Sequence, residues 1–142
     1  MTAILLANAA ATLFMVGVTW FVQVVHYPLF AAVGSGEFRR YHLEHSRRTT
    51  SVVVVPMVIE LVSSFALVAE PPAGETGLAL VGAALAALIW ALTFAGAVPA
   101  HRRLGAATTM APLPRLIRVS LIRSLAWTAH GAVVIALLAA EL

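Results

Sequence analysis

Four long apolar stretches dominate the chain, at about residues 3–25, 51–69, 77–98 and 119–140. Each is close to the roughly 20 apolar residues that an α-helix needs to cross about 30 Å of hydrocarbon. Lipid offers no water to free backbone groups, so such segments cross a membrane as helices that pack together. The pattern therefore predicts an all-α integral membrane four-helix bundle, with residues 1–142 forming a single transmembrane domain.

Composition points to the same class of protein. Apolar residues make up 61% of the chain and charged residues 11%, whereas a soluble domain carries about 25% charged residues. Too few polar residues are present to cover a water-soluble globule. No arginine precedes Arg39, and the first apolar stretch is longer than the core of a signal peptide, which favours a retained first helix.

The arginines indicate how the bundle is oriented. Eight of the nine lie in the first and third connections, at positions 39, 40, 47, 48, 102, 103, 115 and 118. The second connection, residues 70–76, contains none. By the positive-inside rule, both arginine-rich connections face the cytoplasm and both termini face out, in a bacterial inner membrane. The same distribution argues against nucleic-acid binding. The predicted partners are the lipid bilayer and a lipophilic small molecule, and a homo-oligomer is compatible with the pattern.

The helix ends follow from length and proline. The second helix is predicted over about residues 36–68, or roughly 50 Å, so its first turns should extend into the cytoplasm carrying His42 and His45. Pro28 disfavours helix at the residue before it and is expected to end the first helix near the membrane surface. The third helix is expected to end near residue 98, leaving His101 in the third connection.

Polar residues recur on one face of each of the four helices, least regularly on the third, which offers Trp90, Thr93, Ala97 and His101. The first helix has Asn8, Thr12, Thr19, Gln23 and His26; the second has His42, His45, Thr49 and Glu60, with Pro56 on the same face; the fourth has Ser120, Arg123, Trp127 and His130. Their spacings of three, four and seven residues keep each set on one helix face. We expect a polar interior and an apolar outer surface. Small polar residues of this kind also serve simply as packing contacts between membrane helices.

The ionisable residues fall into two layers of depth. Helical rise places Glu60 and His130 both about 16 Å below the cytoplasmic interface, where an ionisable group is costly and suggests a function. The second layer lies at the cytoplasmic mouth, and consists of Gln23, His26, His45, Thr49, His101 and Arg123, with His42 one turn farther out. Arg123 either reaches the surface or turns inward as an anion-binding group.

Candidate roles follow from residue chemistry. We predict His26, His45, Glu60, His130 and Arg123 as catalytic residues. Gln23 and Trp127 are the candidate cofactor-binding residues. Imidazoles suit iron, copper or zinc, so the candidate metal ligands are His26, His42, His45 and His101. Glu60 lies about 22 Å along its helix from the mouth histidines, too far to join them.

Three segments carry a family resemblance: WFVQVVHYPLF at 20–30, YHLEH at 41–45 and PMVIEL at 56–61. They resemble small bacterial four-helix membrane proteins, broadly the anthrone-oxygenase-like group. The resemblance covers the first two helices, and it implies a membrane enzyme acting on an aromatic or lipophilic substrate.

Three functions remain open at this point. The first is a membrane enzyme that binds a lipophilic ligand or metal at its His/Arg-rich mouth. The second is a small proton-coupled transporter that uses Glu60 and His130. Small multidrug transporters are similar in size and helix number, but their first helix carries a glutamate that this chain lacks. The third is a non-catalytic structural or accessory subunit.

Overall fold

The computed structural model describes residues 2–141, which fold almost entirely into four long helices. These are α1 (Thr2–Ala32), α2 (Ser35–Ala69), α3 (Thr76–Ala106) and α4 (Leu113–Glu141). A single 3₁₀ turn, Pro72–Gly74, lies between α2 and α3. The part of the chain described contains no β-strand, so the prediction of an all-helical bundle is confirmed.

All four helices are long and apolar enough to cross a membrane. Large apolar side chains are exposed along their outer faces, for example Phe21, Val62, Phe65 and Phe94, each more than half exposed. An apolar outer surface of this extent is typical of a bundle that faces lipid rather than water.

The helices form a four-membered ring in chain order. α1 packs against α2 and α4, and α3 packs against the same two helices, so α1 lies diagonally across from α3 and α2 from α4. Short connections make consecutive helices antiparallel. The two arginine-rich connections therefore meet at one end of the bundle, here called the arginine end.

A widened turn carries α1 past Pro28, so the expectation that this proline ends the first helix is wrong. Residues Val22–His26 form a π-helical turn, in which the Tyr27 N–H donates to the Val22 carbonyl five residues back. Proline normally breaks a helix because it lacks an N–H and its ring collides with the carbonyl four residues back. The π turn changes that spacing, and the helix continues to Ala32.

The third helix contains the same kind of π turn before a proline. Residues Thr93–Ala97 form a second π turn, and the Val98 N–H donates to the Thr93 carbonyl. Pro99 follows two residues after the turn, as Pro28 does in α1, and the helix continues to Ala106. His101 was expected in a connection, but it lies on this helical extension.

The second helix has the predicted length, but its first turns do not project freely. Phe38 is 4% exposed and packs with Phe30 and Leu104, which come from the ends of α1 and α3. The widened turns extend these two neighbouring helices far enough to enclose the start of α2. His42 and His45 are therefore buried inside the bundle rather than displayed on an isolated helix.

The apolar core consists of three clusters in order along the bundle. The arginine-end cluster contains Tyr27, Phe30, Phe38, Ala100, Leu104, Leu113 and Leu116. The middle cluster contains Met15, Met57, Ile89, Ala126 and Trp127. The far-end cluster contains Leu5, Leu67 and Leu137. Buried polar residues occupy the levels between them.

Gly96 tests the contact between the second π turn and α4. A Cβ added at this position would lie 2.9 Å from Cγ1 of Val119, and valine is stiff at χ1, so it cannot easily move away. We expect Gly96→Ala to lower the free energy of unfolding by about 1–3 kcal/mol, the usual cost of overpacking. Thermal unfolding in detergent measures the effect.

Gly77→Ala is the matched control, because a Cβ there meets nothing within 4 Å. Equal stability of the two variants would contradict the close α3–α4 contact.

Candidate functional site

Four of the five histidines meet directly inside the arginine end. His26 Nε2 lies 2.7 Å from His45 Nδ1, and His42 Nε2 lies 3.1 Å from His101 Nδ1. Tyr27 extends the second pair, with its hydroxyl 2.9 Å from His101 Nε2. We call these five residues the histidine cluster; three helices contribute to it.

Local sequence explains why these side chains converge. His26 and Tyr27 are consecutive residues at the end of the first π turn. His42 and His45 are three residues apart on α2 and therefore share a helix face. His101 follows the second π turn, on the part of α3 that extends past Pro99.

The contacts restrict the protons of the cluster. Two doubly protonated rings cannot make a close nitrogen–nitrogen contact, because both nitrogens would be donors. Each pair therefore holds at least one neutral imidazole. Tyr27, His101 and His42 form a continuous chain of such contacts. His45 Nδ1 is held by His26 and by Thr49 at 3.2 Å, whereas His45 Nε2 is buried without a hydrogen-bond partner.

A cavity of about 560 Å³ adjoins the cluster. Its polar wall includes Tyr27, His42, His45, His101, Ser120 and Arg123. Towards the middle of the bundle, the wall includes Met15, Val53 and Met57, with Thr19 and Thr93 beside them. Arg123 thus turns inward, which decides between the two orientations expected for it. The cavity changes from basic and hydrogen-bonding at one end to apolar at the other.

The four candidate metal ligands share this site without forming a coordination geometry. Within residues 2–141, no group of three or more histidine or acidic side chains is placed to hold a metal ion. The ring nitrogens instead face each other in pairs. A metal would have to separate these pairs to use them as ligands, so metal binding by His26, His42, His45 and His101 stays a prediction.

A second polar site lies deeper in the bundle, around Glu60 and His130. Glu60 Oε1 is 2.6 Å from His130 Nδ1, and the two side chains are 0% and 1% exposed. The distance is that of an ion pair, although the geometry is not that of a well-aligned hydrogen bond. These side chains come from the diagonal helices α2 and α4, so they meet across the bundle axis. The sequence-based expectation that they lie at one depth agrees with this contact.

The other two helices complete the deeper site. The Asn8 side-chain amide donates to the backbone carbonyl of Glu60 at 3.1 Å and to the hydroxyls of Ser63 and Ser64 at 2.7 and 2.9 Å. On α3, Gly82 lies beside the imidazole, since a Cβ there would be in ordinary van der Waals contact with His130 Nε2, at 3.5 Å. All four helices therefore contribute to this level.

The middle cluster separates the two sites. Met15 and Met57 line the cavity and also pack in the same cluster as Trp127, which is fully buried. Trp127 therefore lies between the levels and is not part of the cavity wall. Gln23, three residues before His26, is half-buried, and its Oε1 has no hydrogen-bond partner. It does not line the cavity either. Their roles in cofactor binding stay predictions.

Sequence analysis missed one residue that the structure makes central. Tyr27 was treated only as the residue before Pro28, yet its hydroxyl contacts His101. The only available signal was its position beside the polar stripe of α1. Asn8 has the packing role that small polar residues of the stripe were expected to have, because its amide bonds the backbone and two serines of α2.

No family model, curated protein or solved structure matches the chain. The class is therefore defined by the fold and site alone: a four-helix bundle with an apolar exterior and a histidine-lined cavity.

The Glu60–His130 contact can be tested by a double-mutant cycle. Replacing Glu60 by leucine leaves the buried His130 Nδ1 without its neighbour and should cost about 1–2 kcal/mol, the range for polar contacts between membrane helices. Because the residues touch, Glu60→Leu together with His130→Leu should cost less than the sum of the single changes. Thermal unfolding in detergent gives the three values, and strict additivity would show that the two side chains do not interact.

Proposed function

We propose that this protein is a membrane enzyme that binds a lipophilic molecule in the cavity and transfers a proton at the molecule's polar end. The observation that carries the proposal is the change in the cavity wall, from Met15, Val53 and Met57 to Tyr27, His42, His45 and His101 of the histidine cluster. A wall of this kind orients an elongated molecule, with its apolar part towards the bundle centre and its polar part at the imidazoles.

Size and access support a lipophilic ligand. The volume of about 560 Å³ lies within the roughly 300–1,000 Å³ typical of small-molecule sites. The wall includes exposed residues of α2, Leu43 and Thr50, and of α3, Ala106. The cavity therefore reaches the outer surface between these two helices, where a molecule dissolved in the bilayer could enter.

His45 is the best-placed acid or base. Its Nδ1 is fixed by His26 and Thr49, which leaves Nε2 to react. A base whose other nitrogen is held by a third group is the usual arrangement in acid–base catalysis. His26 then positions His45, while Tyr27, His101 and His42 offer a second route for protons within the cluster.

The membrane setting supports the same interpretation. Under the positive-inside rule, the arginine end and its cavity face the cytoplasm of a bacterial cell. The resemblance of 20–30, 41–45 and 56–61 to anthrone-oxygenase-like proteins also implies a lipophilic or aromatic substrate. A metal ion bound by the same imidazoles is an alternative version of this enzyme.

The proposal predicts that filling the cavity removes its ligand. Val53 lines the cavity, whereas its neighbour Val54 is 44% exposed on the outer face. We expect lipophilic compounds to co-purify near-stoichiometrically with the wild type and with Val54→Phe. Val53→Phe should retain at least about tenfold less, corresponding to about 1.4 kcal/mol. Organic extraction followed by mass spectrometry measures the retained compound.

Equal retention by Val53→Phe and Val54→Phe would contradict binding in the cavity. Elemental analysis of the same samples, purified without chelator, decides the metal version. Near-stoichiometric iron, copper or zinc that is lost in His42→Ala would assign the cluster as a metal site.

Proton-coupled transport is a second candidate, favoured by the buried contact between Glu60 and His130. An ionisable pair at this depth is typical of proton relays in membrane proteins. If Glu60 carries the proton, Glu60→Gln should abolish proton-driven substrate export from vesicles while leaving cavity binding intact. Unchanged export in Glu60→Gln would exclude this mechanism. Val53→Phe is the complementary variant, because it is expected to lose cavity binding while Glu60 stays intact.

A further inference from the structure

We infer that the polar end of the bound molecule is an anion, a carboxylate or a phosphate, and that Arg123 holds it. This inference rests on the proposed cavity-binding function and specifies its class of ligand. Three features of the cavity carry it: an inward-facing guanidinium, a wall free of carboxylates, and the apolar part of the wall at Met15, Val53 and Met57, here called the apolar floor.

Arg123 is a largely enclosed cation that lacks an acidic partner. Its Nε is buried without a hydrogen bond, and no ion pair to it occurs among residues 2–141. Removing a charge from water is costly unless the charge is paired. Arginine also presents a planar fork of donors that matches carboxylate and phosphate oxygens. The side chain is therefore suited to bind an anion that the protein itself does not supply.

The rest of the cavity wall has the same sign of charge. Arg39 and Arg102 are exposed lining residues at its rim, and no glutamate of the described chain lines it. Aspartate is absent from the sequence. Glu44, the nearest glutamate in sequence to the cluster histidines of α2, is paired on the outer surface with Arg47 and Arg48. A cleft lined by one sign of charge concentrates ligands of the other sign.

The positive-inside rule accounts for the positions of the other eight arginines, but it does not account for the position of Arg123. The eight arginines of the two connections suffice to orient the chain. Arg123 stands a turn beyond Ser120 on α4, and both line the cavity. A purely topogenic arginine would extend to the surface, whereas this one lines the same cavity as Tyr27 and the imidazoles.

The apolar floor indicates the chemistry of the rest of the ligand. Met15, Val53 and Met57 offer no polar side-chain group, and the hydroxyls of Thr19 and Thr93, which also line this part, donate to backbone carbonyls of their own helices. The part of the molecule below the anion is therefore apolar. Together these features describe a single-chain or aromatic amphiphile with an acidic head, such as a fatty acid, an acidic aromatic compound or a lipid monophosphate.

Binding of parinaric acid and its methyl ester tests the inference. Both are fluorescent when bound, and only the acid is charged. With protein in phosphatidylcholine nanodiscs, and empty nanodiscs as background, the wild type should bind the acid more tightly than the ester. Arg123→Gln should weaken binding of the acid by roughly tenfold or more, as expected when a charged hydrogen bond is lost. Binding of the ester should change less than about twofold.

Arg118→Gln is the matched control, since Arg118 is an exposed arginine of the same helix. It should leave binding of the acid unchanged. Ser120→Glu provides a second variant should Arg123→Gln fail to fold. It places a carboxylate beside the guanidinium and should likewise weaken binding of the acid alone.

Competition distinguishes the source of the anion. Dodecanoate and dodecyl phosphate should displace the probe, and the stronger competitor identifies the head, whereas dodecanol should displace it weakly. If dodecanol competes equally, or if Arg123→Gln weakens acid and ester alike, the anion inference is wrong while cavity binding stands. If neither probe binds in a manner sensitive to Val53→Phe, the proposed function itself fails.

Discussion

The structure depends on one constraint: in a bundle with an apolar outer surface, polar side chains must be accommodated near its axis. They collect at two levels, each built from all four helices. At one level the histidine cluster meets Arg123 of α4. At the other, Glu60 and His130 meet across the axis beside Asn8. Apolar clusters close off these levels, and the low polarity around them strengthens every contact that is made.

The two π turns bring polar residues of different helices together at one site. Val22–His26 and Thr93–Ala97 occupy diagonal helices, and each is followed by proline two residues later. His26 and Tyr27 stand at the end of the first turn, and because α3 continues past Pro99, His101 reaches the same level as His42 and His45 of α2. Single widened turns of this type are frequent at functional sites. In this protein their contribution is concrete: regular helices that ended at Pro28 and Pro99 would leave His101 outside the bundle.

Sequence reasoning succeeded where helical geometry alone sets the answer. The rise per residue placed Glu60 and His130 at one depth, and the structure brings them into contact. It failed where the backbone departs from regular helix. Pro28 was expected to end α1, and no propensity rule marks the π turn that carries the chain past it. The burial of His42 depends on that same extension, because the enclosing residues Phe30 and Leu104 lie beyond the two prolines.

The separation of the two levels bears on mechanism. Met15, Met57 and Trp127 pack between the cavity and Glu60, and apolar side chains cannot pass a proton between hydrogen-bonding groups. Under the proposed enzyme function, chemistry in the cavity would therefore be completed by the histidines, Tyr27 and Arg123. The deeper pair meets across the bundle axis, beside Asn8 of α1 and Gly82 of α3, which suits a contact that fixes how the helices meet. A transporter would need the middle cluster to open, whereas an enzyme acting at the arginine end would not. The packed middle cluster thus favours the enzyme as the simpler interpretation of this architecture.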